Sequence, residues 1–269
     1  MVQLRAACWH LVALTALVGC GSRDDALSAL YGPDVSGAQG EELVCAPLPP
    51  GAIAWWPGDG SAADIIGRHD GSWGSFSTGL VKRGFDFEGS DEVARFPFER
   101  VEGDFSIEFW VRPDPAITPT TPKPREMFAR GIDHTLGTAN WGPEQDCGAC
   151  NGRFEVRGPE PRPYSLVDTW GEGPNEWRHV SVTYGAALYV VYVDGEPEPA
   201  TSISDVSILD RTDEVTLGGS IAKPSSHFIG QLDEITIYDR ALEPEEVSGI
   251  YRAGRAGKCR TFKDVSPQR

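Results

Sequence analysis

Basic residues are scarce in this chain: 24 Lys and Arg stand against 40 Asp and Glu, a formal net charge of −16. A surface that acidic repels phosphate backbones, so nucleic acid is not an expected partner, and neither is a polybasic attachment to membranes. No run of about 20 continuous apolar residues is present, so no segment reads as a bilayer-spanning helix. A Gly-x-Ser-x-Gly nucleophile elbow is also missing. His69, His134, His179 and His227 are scattered, and His179 reads as a structural residue in a strand. There is one Cys-x-x-Cys, Cys147 and Cys150, where a four-cysteine zinc site needs two such knuckles. No repeat of fixed period runs along the chain. These absences set aside nucleic-acid binders, zinc modules, serine hydrolases of the elbow type and solenoids.

What is present begins at the N-terminus. Arg5 gives a small positive start, Ala6 to Ala16 a mostly apolar core, and Leu17-Val18-Gly19-Cys20 closes it before polar Gly21-Ser22-Arg23-Asp24-Asp25. A charged start, a short apolar core and small residues at the end describe a secretory signal. Leu-Val-Gly-Cys resembles the lipobox of bacterial lipoproteins, in which the cysteine becomes the new N-terminus and is acylated. Two or more acyl chains anchor stably where one is marginal. The resemblance implies a signal peptide over 1–19 and a lipidated Cys20. It also implies localisation at the bacterial cell envelope, with Gly21 pointing to the outer membrane. Cleavage would remove only Arg5, leaving 23 basic and 40 acidic residues, or −17.

Residues 20–44 are rich in Gly, Ser, Asp and Ala and read as a tether. From Cys45 the texture changes. Thirty-one glycines and 21 prolines punctuate the chain at intervals that suit short strands joined by turns. Strands are expected over 52–56, 79–87, 92–98, 105–111, 127–132, 153–157, 164–169, 177–184, 188–193, 214–217 and 228–238. Phe105 to Val111 alternates as a two-faced strand does, and Asp194-Gly195 supplies hairpin-turn chemistry. One helix is expected, Leu242 to Ala253, with Pro244 at its start, Glu245 and Glu246 in the first turn, and Gly254 ending it. Trp55, Trp56, Phe109 and Trp177 are expected in the core. The fold class is all-β: a two-sheet antiparallel jelly-roll sandwich with one short C-terminal helix. Four cysteines remain beyond Cys8 and Cys20, and an exported protein favours disulfides. Of three possible pairings, position favours Cys45–Cys259, bracketing the β-region, and Cys147–Cys150 within one turn.

Several motifs fall in a familiar order. They are Trp55-Trp56-Pro57-Gly58-Asp59-Gly60, Phe85-Asp86-Phe87-Glu88-Gly89, Phe105 to Val111, Trp177 to Tyr184 with Tyr192-Val193-Asp194-Gly195, and Gly230 to Leu242. Over residues 45–260 the chain resembles bacterial LamG-like jelly-roll domains of the concanavalin A-like lectin/glucanase superfamily, leaving 261–269 as a tail. It departs from them between Pro113 and Thr169. The resemblance implies a structural calcium, with Asp233 as side-chain ligand and Asp59 as the nearest acid from the opening turn. Glycosidases among such relatives carry paired acids on alternate strand positions. None are found here: Glu108 stands alone, and Asp233 and Glu234, adjacent in a strand, are expected to face opposite ways.

The function expected is therefore a surface-anchored, non-catalytic binding or adhesion module. Its partner would be a glycan or protein ligand, its membrane contact the N-terminal lipid. Trp73, Trp141, Tyr164 and Trp170 lie beside Gly/Pro-rich loops, where a ring can stack on sugar. The alternative is a structural envelope protein packing against a protein partner, with a glycoside hydrolase-like enzyme behind both.

Overall fold

The computed structural model describes residues 43–89, 93–98, 103–114, 125–130, 134–139, 154–157, 163–167, 175–186, 188–198, 201–202, 214–219 and 227–260. Two antiparallel sheets contain all the strands of the described residues. The larger holds β1 (Ala52–Trp56), β2 (Phe76–Thr78), β3 (Arg83–Glu88), β5 (Phe105–Pro113), β10 (Arg178–Gly185), β11 (Leu188–Val193), β12 (Glu196–Pro197), β13 (Thr201–Ser202) and β15 (Ile229–Tyr238). Its order is β12-β11-β10-β5-β15-β3-β2, with β1 also on β15 and β13 on β11. The smaller sheet is β4 (Ala94–Pro97), β14 (Glu214–Leu217), β6 (Arg125–Arg130), β7 (His134–Ala139), β8 (Phe154–Arg157) and β9 (Pro163–Val167), in that order.

Alternation decides what each face does. In β5, Phe105, Ile107, Phe109 and Val111 enter the core between the sheets, so Ser106, Glu108 and Trp110 point the other way. Val180, Val182, Phe85, Phe87, Ile235 and Ile237 join the inner layer, opposed by Phe96, Phe128, Val215 and Leu217 of the smaller sheet. Trp56 meets Phe96 across the sandwich with ring centroids 4.5 Å apart. Asp194 and Gly195 both have positive φ (52° and 81°), which a two-residue type I′ hairpin requires between β11 and β12.

Part of the outer face of the larger sheet is covered by a second, smaller apolar cluster. Helix α1 (Pro244–Ala253) lays Val247, Ile250 and Ala253 against Tyr192 and Tyr238. Its start is fixed by Glu246, whose carboxylate accepts the Glu243 N–H at 2.9 Å and forks onto Arg240 at 2.8 and 2.6 Å. Beyond the helix the chain runs beside the N-terminal entry. Ala46 N–H donates to the Gly257 carbonyl at 2.9 Å, Cys259 N–H donates to the Ala46 carbonyl at 2.7 Å, and Cys45–Cys259 is a disulfide.

Ten of the eleven expected strands lie within a few residues of their positions; the expected 79–87 strand begins only at Arg83, because Gly79 to Lys82 form the turn leading into it. Four strands lacked a legible signal: β2, β7, β12 and β13. They have six residues at most, and β7 (His-Thr-Leu-Gly-Thr-Ala) mixes glycine with no clear alternation. The core expectation needs a correction. Trp55, Trp56 and Phe109 are buried as expected, Trp55 outside the cluster between the sheets, but Trp177 is only half-buried.

Candidate functional site

Strand β15 changes partner halfway along one edge. Ile229 to Leu232 pair with β3, and Ile235 to Tyr238 pair with β1. Between them sit Asp233 and Glu234, where the register with β5 also slips. Glu234 takes a φ of 56°, an uncommon conformation for a side chain of its size. The extra residue re-aims a side chain, as β-bulges do. Leu232 and Ile235 both enter the core, so Asp233 and Glu234 both emerge on the outer face. The expectation that these neighbours face opposite ways is overturned by this bulge.

A cluster of charges forms there. Lys258 Nζ lies 2.8 Å from Glu108 Oε1, 3.1 Å from the Glu234 carbonyl and 3.4 Å from Glu234 Oε2. Glu234 also accepts Trp55 Nε1–H at 3.0 Å and Arg260 at 3.2 Å. Glu108 Oε2 meets His179 Nε2 at 3.1 Å. Glu108 and His179 are 0 % exposed and Lys258 4 %. Burial pushes the Glu108 carboxyl upward, yet the Lys258 ammonium and the His179 hydrogen bond outweigh it and hold its pKa at about 2. Burial pushes Lys258 down, and its two carboxylate neighbours raise it above the ordinary lysine value. Such a buried, paired seam clamps the C-terminal segment onto the sheet.

The sign of its pH dependence follows. A depressed carboxyl pKa contributes stability in full above the ordinary value of 4.5, and that stability drains away as pH falls toward 2. We expect the urea midpoint to fall across that window by the equivalent of roughly 3 kcal/mol. The Glu108→Gln variant, less stable at neutral pH, should lose most of this acid slope. An unchanged slope in that variant would assign it to other carboxylates.

Asp233 lies beside this seam. Its Oδ2 accepts the Val81 N–H at 2.8 Å, while Oδ1 is buried without a hydrogen-bond partner. Burial, then Glu234 and Asp59, push its pKa up to about 8. Asp59 is otherwise engaged: its Oδ2 meets Arg260 at 2.7 Å and Lys82 at 3.3 Å, and its Oδ1 accepts the Arg83 N–H at 3.3 Å. Among the described residues no group of three or more His, Cys, Asp or Glu is placed to hold a metal. The unpartnered Asp233 oxygen fits a single carboxylate ligand to calcium. Asp59 fits only if it exchanges its cations, and backbone carbonyls would have to complete the shell.

The other expected positions are dispersed. Trp73 is half-buried, stacked on Phe87 at 4.9 Å, with its Nε1–H donating to the Ser75 carbonyl at 2.7 Å. Tyr164 lies in β9, and its side chain is outside the described residues, as are Trp141, Trp170, Cys147, Cys150 and Cys20 in full.

Residues 88–248 match the model of a family described as the concanavalin A-like lectin/glucanases superfamily (Laminin_G_3). The chain belongs to this superfamily. The jelly-roll-like sandwich is its fold. No curated protein matches the chain. Among solved structures, the superfamily sandwich is similar to domain 4 of AbnA, a GH43 extracellular arabinanase from Geobacillus stearothermophilus, in complex with arabinotriose. The TM-score is 0.54 at 19 % identity, covering 76 % of this chain and 98 % of that one. Trypanosoma rangeli sialidase matches at 0.54 and 18 %, over 77 % and 35 %. The ligand binding domain of botulinum neurotoxin serotype D, in complex with N-acetylneuraminic acid, matches at 0.58 and 14 %, over 75 % and 50 %. The chain thus spans nearly all of the arabinanase domain but only a third to a half of the latter two. At these identities the likeness concerns the fold.

Proposed function

We propose that this chain is a non-catalytic glycan-binding module held at the bacterial cell envelope by a lipid on Cys20. The observation that carries the binding reading is its match to 98 % of an arabinanase domain whose structure holds arabinotriose: the sandwich corresponds to that whole domain. The locked acids support a non-catalytic role. Glu108 and Glu234 are consumed by Lys258, Arg260 and Trp55, and a glycosidase needs two carboxyl groups that reach substrate. The anchor rests on the lipobox-like Leu17-Val18-Gly19-Cys20. Incorporation of an alkyne fatty acid, abolished in Cys20→Ser, would support it; equal labelling of both would refute it.

A glycan array run in calcium and again in EDTA tests the binding reading. Binding to a defined sugar without hydrolysis product supports it. A blank array in both conditions, from folded protein, favours the structural envelope role with a protein partner. Calcium is proposed as a structural ion with Asp233 as its carboxylate ligand and Asp59 as a second after release of Arg260. A calcium-dependent rise in melting temperature should be lost in Asp233→Asn. In EDTA the sign runs the other way. A carboxyl pKa raised from 3.8 to about 8 contributes stability that is full below 3.8 and is lost as pH rises toward 8, so Asp233→Asn should flatten the decline across that acid-to-neutral window. Wild-type melting indifferent to calcium, and no bound calcium after dialysis, would refute the ion.

A further inference from the structure

The helix and the C-terminal segment cover only part of the outer face of the larger sheet. One step beyond the Glu108 and Trp110 positions of β5 lies Arg112, half-buried and outward-facing. It pairs in register with Gln231 of β15, and Gln231 pairs with Asp86 of β3. The inward positions of Val111, Leu232 and Phe85 place Arg112, Gln231 and Asp86 together on the outer face. Trp177, just before β10, lies on the other side of Arg112.

This row is pre-organised. The Arg112 guanidinium carbon sits 5.2 Å from the centre of the Trp177 ring. Arg112 Nε–H donates to Gln231 Oε1 at 2.5 Å, and Gln231 Nε2–H donates to Ser77 Oγ at 2.7 Å. The chain of bonds fixes the guanidinium plane through Nε and leaves Nη1 and Nη2 unengaged among the described residues. Two parallel N–H groups in a held plane match the two oxygens of a carboxylate. Such a fork is conspicuous on a chain of net charge −16, whose general field disfavours anions; only local, bidentate recognition selects one. Asp86 has no side-chain partner among the described residues and lies two inter-strand spacings, roughly 10 Å, from Arg112. A carboxylate there accepts hydrogen bonds from sugar hydroxyls.

From this geometry we infer that the Trp177–Arg112–Gln231–Ser77 row, with Asp86, is a binding site for an acidic sugar, its carboxylate on Arg112 and its hydroxyls on Asp86. The inference rests on the glycan-binding reading and narrows it to uronate- or sialate-bearing glycans.

The test is titration of the full chain in mild detergent with trigalacturonate and with α2,3-sialyllactose, each beside its carboxyl-reduced counterpart. At least one acidic ligand should bind tenfold or more tightly than its reduced form. Both Arg112→Gln and Arg112→Lys should abolish that preference, since an ammonium cannot supply the fork. Thermal melts of each variant establish that it is folded; if the arginine variants are unstable, Gln231→Ala, which frees the guanidinium plane, should weaken the preference, and an unchanged preference in that variant would overturn the site. Equal binding of acidic and reduced sugars would overturn this site and leave the glycan-binding reading standing. Acid-selective binding unaffected by Arg112→Lys would also overturn it. No binding of any of the four, with a blank array, would overturn both.

Discussion

Replacing Lys258 by methionine should lower the unfolding free energy by about 3–5 kcal/mol, the cost of stranding a buried charge. Lys258 is the cation within hydrogen-bond distance of Glu108 and also the near neighbour of Glu234, both sealed from water. Methionine fills most of the volume and leaves two buried carboxylates facing each other. The urea midpoint should fall at pH 7 and recover partly as pH drops, because protonation removes the stranded charge. The double variant Lys258→Met/Glu108→Gln should be more stable than Lys258→Met alone, the coupling expected of residues in direct contact. A loss below about 1 kcal/mol would mean that water reaches the seam.

The Cys45–Cys259 disulfide carries the other large effect. It closes a loop with a sequence separation of 214, and chain entropy values such a cross-link at roughly 5 kcal/mol. Substitution of both cysteines by serine should lower the unfolding free energy by that order, seen as a lower urea midpoint under oxidising conditions. Reduction of the wild-type chain should reproduce most of the shift, and move the double variant far less, since the other expected bridge, Cys147–Cys150, closes only a short loop. Cys259 follows Lys258 directly, so the two losses should not add: once the tie is cut, the segment bearing the lysine is already loosened. A shift below 1 kcal/mol would indicate that the segment is held by the ion seam alone.

The sandwich was legible because its strands carry period-two patterns and its turns carry glycine, proline and Asp-Gly. Phe105 to Val111 alternates visibly, and each inward residue lies in the core. The helix announced itself through Pro244, Glu245 and Glu246. The ion seam was not legible. Glu108, Glu234 and Lys258 are far apart in sequence, and only the change of partner along β15 and its bulge bring them together. A bulge at Asp233-Glu234 defeats face assignment, since one extra residue reverses the parity on which the reasoning depends. Trp177 misled for another reason: its strand begins one residue later, at Arg178, and with Val180 and Val182 in the core its position falls on the outer side of the sheet. The Arg112 row was hidden because its members come from four strands and a preceding loop.

The fastening at Cys45 has a mechanical consequence. A pull on the chain ahead of residue 45 cannot peel β1 from β15 by itself, because the load divides at the disulfide and reaches Cys259 at the same moment. Tension is then borne by the first strand and the C-terminal segment together, in shear across many hydrogen bonds rather than by unzipping them singly. A module tethered at that point and gripping a ligand elsewhere would behave as a rigid link under flow, and a reduced one as a link that pays out slack.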